Sequence, residues 1–230
     1  MNIEITIPES WEDIKLNQFM EYMRAVKPYQ GTEEFEVIQY EKAMNHFCNM
    51  TTEVIRQLPM EYYNGILAEM IKLFQQGDEM PLVKHFVIGG TTFGFIPSLD
   101  NMSYGEYLDL STYSKDLWTN APTIMSILYR PITKRDGEKY EIESYSGTNE
   151  DMELLFKTAL TMDIVWGAVG FFTLLSKDLL KGMMDYSIKT LEKMKSNTQV
   201  QETLTANGVD ISVLQSSQET ILQGLKQLQD

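Results

Sequence analysis

Between Leu16 and Phe74, apolar residues recur at three- and four-residue intervals in successive runs. That spacing admits little but a stack of amphipathic helices. The first run places Leu16, Phe19, Met20, Met23 and Val26 on one face, and Pro28 and Gly31 close it. Thr32, with Glu33 and Glu34, opens a second helix bearing Val37, Tyr40, Met44, Phe47 and Cys48. A short turn after Thr51 leads to Pro59. The cleanest run follows, with Tyr63, Ile66, Leu67, Met70, Ile71 and Phe74 on one stripe and Gly77 placed to stop it. Ahead of these helices, Ile3, Ile5 and Ile7 alternate with Glu4 and Thr6, which predicts a short strand ended by Pro8. Ser10 and Asp13 are spaced as a capping box.

The period changes at His85. Residues 85–88 and 91–96 flank Gly89-Gly90, and two glycines can take the positive φ angles of a two-residue hairpin turn. Asp136-Gly137, between Ile132 and the Tyr140/Ile142 stretch, signals a second hairpin. Between the hairpins, Ser103 and Glu106 form another capping box, introducing a helix with Tyr107 and Leu108 that extends toward Tyr113, Leu117 and Trp118. Pro122 begins a short helix that reaches Tyr129, and Thr148 and Asn149 cap one carrying Met152, Leu155, Phe156 and Ala159. From Met162 an apolar helix runs toward Lys195. Its most apolar part, Ile164 to Leu175, ends at Ser176-Lys177-Asp178 and is too short for the roughly 20 residues of a membrane span. The expected fold is α+β and predominantly helical, with about eight helices, two hairpins and the N-terminal strand as minor antiparallel structure.

The composition shifts near Ser196: no aromatic residue follows Tyr186, and glutamine becomes frequent. The expected organisation is therefore a globular, mainly helical domain over 1–195 and a Gln-rich amphipathic tail over 196–230. In the tail, Ile211, Leu214, Gln218, Ile221, Leu225 and Leu228 follow the alternating three- and four-residue spacing of a heptad seam, with one polar position. So short a seam needs a partner surface. It belongs either to the chain's own domain or to another chain, and these residues are the expected protein-interaction site.

Charge narrows the function classes. Within 230 residues, 33 acidic side chains face 19 basic ones, for a net charge of −14. Such a surface repels phosphate backbones and anionic lipid, so direct binding to nucleic acid or membrane is not expected. Cys48 is the single cysteine, so no intrachain disulfide framework exists. Met1-Asn2-Ile3-Glu4 lacks the basic start and apolar stretch of a signal peptide, which sets the expectation of a protein that is not exported. Asn49-Met50-Thr51 and Asn101-Met102-Ser103 then match the glycosylation pattern only by chance.

No catalytic, cofactor or metal constellation is expected. His46 and His85 are the only histidines. His46 and Cys48 stand two apart on a helix and point in different directions, so they cannot pair as base and nucleophile. Two histidines and one cysteine cannot complete a tetrahedral zinc site without carboxylates. Gly89-Gly90-Thr91-Thr92 lacks the Gly-Lys-Ser/Thr ending of a phosphate loop and lies within a hairpin. Glu33, Glu34, Glu36, Glu150 and Asp151 sit at helix starts, where negative charge favours the dipole. Two features stand out. Arg130 ends the apolar stretch Ile127-Leu128-Tyr129, either to pair with a carboxylate across the fold or to face a partner. In Phe93-Gly94-Phe95, Gly94 permits close approach of another backbone.

Several of these segments carry a resemblance. Residues 93–100, Phe-Gly-Phe-Ile-Pro-Ser-Leu-Asp, and 103–110, Ser-Tyr-Gly-Glu-Tyr-Leu-Asp-Leu, resemble tailed-bacteriophage virion or assembly proteins of the tail-assembly-chaperone-like kind. Leu128-Tyr129-Arg130-Pro131-Ile132 and Gly167-Ala168-Val169-Gly170-Phe171-Phe172 add to the likeness, which covers about residues 85–185. These are packing and turn motifs, so the resemblance transfers no functional residue. It implies a non-enzymatic protein-binding component of particle assembly in the host bacterial cytoplasm, with other phage structural proteins or further copies of itself as partners and no small-molecule substrate. The competing expectations are a bacterial adaptor or regulatory module, and an enzyme working with carboxylates alone. The last requires two carboxylates converging in a cleft.

Overall fold

The computed structural model describes residues 5–76, 80–98 and 102–171. The chain divides into two units, Met1–Gly170 and Phe171–Asp230. The first is α+β and predominantly helical, with one small antiparallel sheet.

The helices are α1 (Leu16–Val26), α2 (Phe35–Phe47), α3 (Thr52–Gln57), α4 (Met60–Gln75), α5 (Tyr104–Tyr113), α6 (Ala121–Leu128) and α7 (Glu150–Ala159). A further helix starts at 162 and is described as far as 171. The strands are β1 (His85–Ile88), β2 (Thr91–Phe95), β3 (Tyr129–Asp136) and β4 (Lys139–Ile142), in the order β1-β2-β3-β4. The two predicted hairpins are thus one sheet. Phe93, Gly94 and Phe95 pair with Pro131, Arg130 and Tyr129, and the helical excursion α5–α6 connects the paired strands.

Where local chemistry is decisive, the elements form as the sequence predicts. The Ser103 hydroxyl accepts from the Glu106 amide while the Glu106 carboxylate accepts from the Ser103 amide. Asn149 caps α7 by accepting from the Met152 amide. Gly89, Gly90 and Gly137 take positive φ in the two hairpin turns.

The departures have identifiable causes. Ser10 and Asp13 do form a capping box, but it opens only the 3-10 turn Trp11–Asp13, and α1 begins afresh at Leu16. Residues 5–7 lie outside the sheet, because the chain meets no strand edge before Pro8 and the Ser10 turn redirect it. Ile3 falls outside the described residues. The core face of α1 is Leu16, Phe19, Tyr22 and Val26, because Tyr22 reaches the aromatic core and the stripe rotates away from Met20 and Met23. The stretch from Thr51 to Pro59, expected as a short turn, holds helix α3, which Thr51 caps. α5 stops at Tyr113, and a 3-10 turn, Ser114–Asp116, precedes Trp118. Val37, expected on the apolar stripe of the second helix, is exposed, as are Tyr107 and Leu108 of α5.

Two aromatic clusters hold the unit together. Under the helices, Trp11 meets Phe19, Phe74 and Trp166 edge-on at centroid distances of 5.8, 5.6 and 5.6 Å. Phe19 and Trp166 lie 4.7 and 5.0 Å from Trp118. Edge-to-face contacts at such distances are worth about 0.5–1.5 kcal/mol each beyond the burial of area. Under the sheet, Phe93 packs on Phe86 and Phe156, and Tyr129 packs on Phe86 and Phe95. The Leu16 amide donates to the Leu160 carbonyl and the Met162 amide to the Ile14 carbonyl, tying the start of α1 to the end of α7.

Candidate interaction surface

Helix α5 has two contrasting sides. One is fixed inward. Glu106, 5% exposed, meets the Arg130 guanidinium of β3, with Nη2 2.5 Å from Oε1. Burial alone would raise the Glu106 pKa, but the hydroxyl and amide of Ser103 and the Arg130 charge outweigh it and hold the carboxyl below the usual range. The guanidinium carbon lies 5.5 Å from the centre of the Tyr145 ring. The Tyr145 hydroxyl donates in turn to Asp109, one turn along α5, in a bond of 2.5 Å. Burial, then that carboxylate, push the Tyr145 hydroxyl pKa well above its usual value. Arg130 therefore pairs with a carboxylate across the fold, the first of its two expected roles.

The other side of α5 is open. Tyr104, Tyr107 and Leu108, spaced to share one face, are 78%, 62% and 48% exposed. Single exposed apolar residues are ordinary, whereas two tyrosines and a leucine on one turn form a patch. Tyrosine suits contact surfaces because it offers a large amphipathic area at low entropic cost.

A second surface lies along α1. Met20, Met23 and Arg24, with Lys27 and Gln30 just beyond the helix, face Asp116, Trp118 and Thr119 across a groove of about 350 Å³. Lys27 Nζ stands 3.6 Å from Asp116 Oδ2, both residues lining the groove and both side chains half or more exposed. Asp116 shapes this wall by accepting from the Thr119 amide through its side chain and from the Asn120 amide through its carbonyl. Trp118 lines the groove and continues into the core through Phe19 and Trp166.

The other residues with chemical potential are dispersed. Cys48 is buried at the end of α2, and burial pushes its thiol pKa up to about 11. His46 stands 3.9 Å from Glu21, and burial lowers its pKa more than that carboxylate raises it. His85, on β1, lies 3.1 Å from Arg135 Nη2 and stacks on Tyr140, with ring centroids 6.5 Å apart. Because arginine only donates, the facing histidine nitrogen Nε2 accepts. Gly94 receives a side chain rather than a backbone: a Cβ there would lie 2.6 Å from the Tyr140 ring and 2.9 Å from Ile132 Cγ1. That ring is anchored by its hydroxyl, which donates to the Phe95 and Lys84 carbonyls at 2.9 and 3.1 Å. The two carboxylates on the inner side of α5, Glu106 and Asp109, are engaged by Arg130 and Tyr145 respectively.

Among the described residues, no helix is long and apolar enough to cross a membrane. The tail positions Ile211, Leu214, Gln218, Ile221, Leu225 and Leu228, and the boundary expected at 196, lie outside the described residues. No protein-family model, curated protein or solved structure matches the chain.

Proposed function

We propose that this chain is a non-enzymatic, protein-binding component of bacteriophage particle assembly, acting as a tail-assembly-chaperone-like protein or as an accessory protein of the virion. The observation that carries the binding role is the two-sided construction of α5. Tyr104, Tyr107 and Leu108 face outward from a helix whose inner side is pinned by Glu106–Arg130 and Asp109–Tyr145. A pinned helix presents its outer residues in fixed geometry, so a partner loses little entropy in ordering them. The phage setting comes from the resemblance of residues 85–185, which includes this helix. The partners are other phage structural proteins or further copies of the chain, in the host bacterial cytoplasm, with the tail seam Ile211–Leu228 as a second contact. Net charge of −14 disfavours unaided contact with nucleic acid.

Affinity capture of the full chain from infected and uninfected bacteria, each in parallel with Y104S/Y107S/L108S, tests the proposal. The expected result is a particle structural protein recovered only after infection and reduced by the triple substitution. Equal recovery of a host protein from both cultures would favour the bacterial adaptor instead.

A further inference from the structure

From the groove between α1 and Trp118, we infer a docking site for a partner segment that pairs an apolar anchor with a carboxylate about one turn away. This rests on the proposed protein-binding role, but on neither the phage setting nor the α5 patch. The walls supply the first half of the specificity. Met20, Met23 and Trp118 line the groove together, and flexible, polarisable methionine side chains adapt to an inserted apolar group. Trp118 gives the groove a fixed wall, because Phe19 and Trp166 hold it edge-on at 4.7 and 5.0 Å. At about 350 Å³ the groove lies near the lower end of the ~300–1,000 Å³ range of small-molecule pockets, which suits one or two side chains rather than a whole domain.

Charge supplies the second half. Lys27 is matched by Asp116, so these two largely cancel. Arg24 lines the same groove and has no ion pair among the described residues. One uncompensated guanidinium therefore lines the groove beside Met20, Met23 and Trp118, in a chain whose charge is −14. A carboxylate meets it in the fork geometry that arginine favours, whereas a basic segment is repelled locally. A run of nucleic acid phosphates would be repelled by a chain of charge −14 far more than a segment that brings one carboxylate to Arg24. The occupant is accordingly an acidic, apolar protein segment, docked as a short helix or turn.

Selection of a displayed library of random peptides about twelve residues long, the length of a few helical turns, on the full chain tests this. The expected binders combine Met, Leu or Phe with Asp or Glu three or four positions away. They should weaken about tenfold against R24E/K27E and weaken as salt rises. Both substituted side chains line the groove at the surface, so the melting temperature serves as the folding control, and M20S/M23S should weaken the same peptides independently. Binders without acidic bias, binders indifferent to both variants, or no enrichment at all would overturn the inference. So would a concentration-dependent dimer abolished by R24E/K27E, since that would seat a second copy in the groove.

Discussion

Glu106 and Arg130 meet at 2.5 Å between α5 and β3, and each is almost wholly enclosed, at 6% and 12% side-chain exposure. Removing one member leaves the other charge buried without its counterpart, which typically costs about 3 kcal/mol or more. R130M is therefore expected to destabilise the fold by about that amount in urea titration. E106Q/R130M should recover much of the loss, because the amide oxygen can still accept from Ser103. Equal destabilisation by the single and double variants would mean that packing, not charge, holds α5.

The same pair sets an acid dependence. Because the folded-state carboxyl of Glu106 lies below its ordinary value, its stabilising contribution is fully present above the usual carboxylate range. It is lost as pH falls through the depressed folded-state value. Unfolding free energy measured from neutral pH downward should fall less steeply in E106Q than in the native chain. Parallel curves would remove Glu106 from the account of acid unfolding.

Three glycines rank by what a methyl group would meet. At Gly167 a Cβ would run into the backbone carbonyl of Pro81, which no side-chain rotation relieves. At Gly94 it meets the Tyr140 ring and Ile132, and at Gly65 in α4 it meets nothing within 4 Å. G167A should cost the most. G94A should cost about 1–3 kcal/mol, as overpacking does. G65A should stabilise by about 0.5–1 kcal/mol through helix propensity and a less free unfolded chain. Urea midpoints in any other order would contradict these packing assignments.

Cys48 should be inert in the native state. Its thiol is buried, and burial lifts the pKa to about 11, so little thiolate exists near neutral pH. Reaction with an aromatic disulfide reagent at pH 8 should be slow in buffer and fast in denaturant. Native-state reaction at the rate of a free thiol would place Cys48 at the surface.

Much of the helical frame was legible because it is local. The Ser103–Glu106 box, the Asn149 cap and the glycine turns each satisfy backbone groups within a few residues. The joining of the hairpins was not legible. Phe93–Phe95 find Tyr129–Pro131 only after α5 and α6 fold back, and no local pattern encodes that register. The candidate surface was not legible for a related reason. Tyr104, Tyr107 and Leu108 sit at the three- and four-residue spacing that usually marks a core face, but Glu106, Leu110 and the Arg130 contact turn the other side inward. An acidic residue within a capping box is normally solvated, and only the fold shows that this one is buried. Met20 and Met23 likewise became groove walls once Tyr22 took the core position.

The open face of α5 should be separable from stability. Y104S/Y107S/L108S removes side chains that are about half or more exposed, so stability should change by no more than about 0.5 kcal/mol per site. A cooperative loss of folding in the triple variant would mean that the patch is part of the core.

A photo-activatable amino acid in place of Tyr107, irradiated during infection and followed by mass spectrometry of the crosslinked product, tests the central proposal most directly. The expected product joins α5 to a structural protein of the phage particle, appears only in infected cells, and is absent when the probe replaces the buried Tyr129. A crosslink to the same host protein with or without infection, or no crosslink above the Tyr129 control, would contradict it.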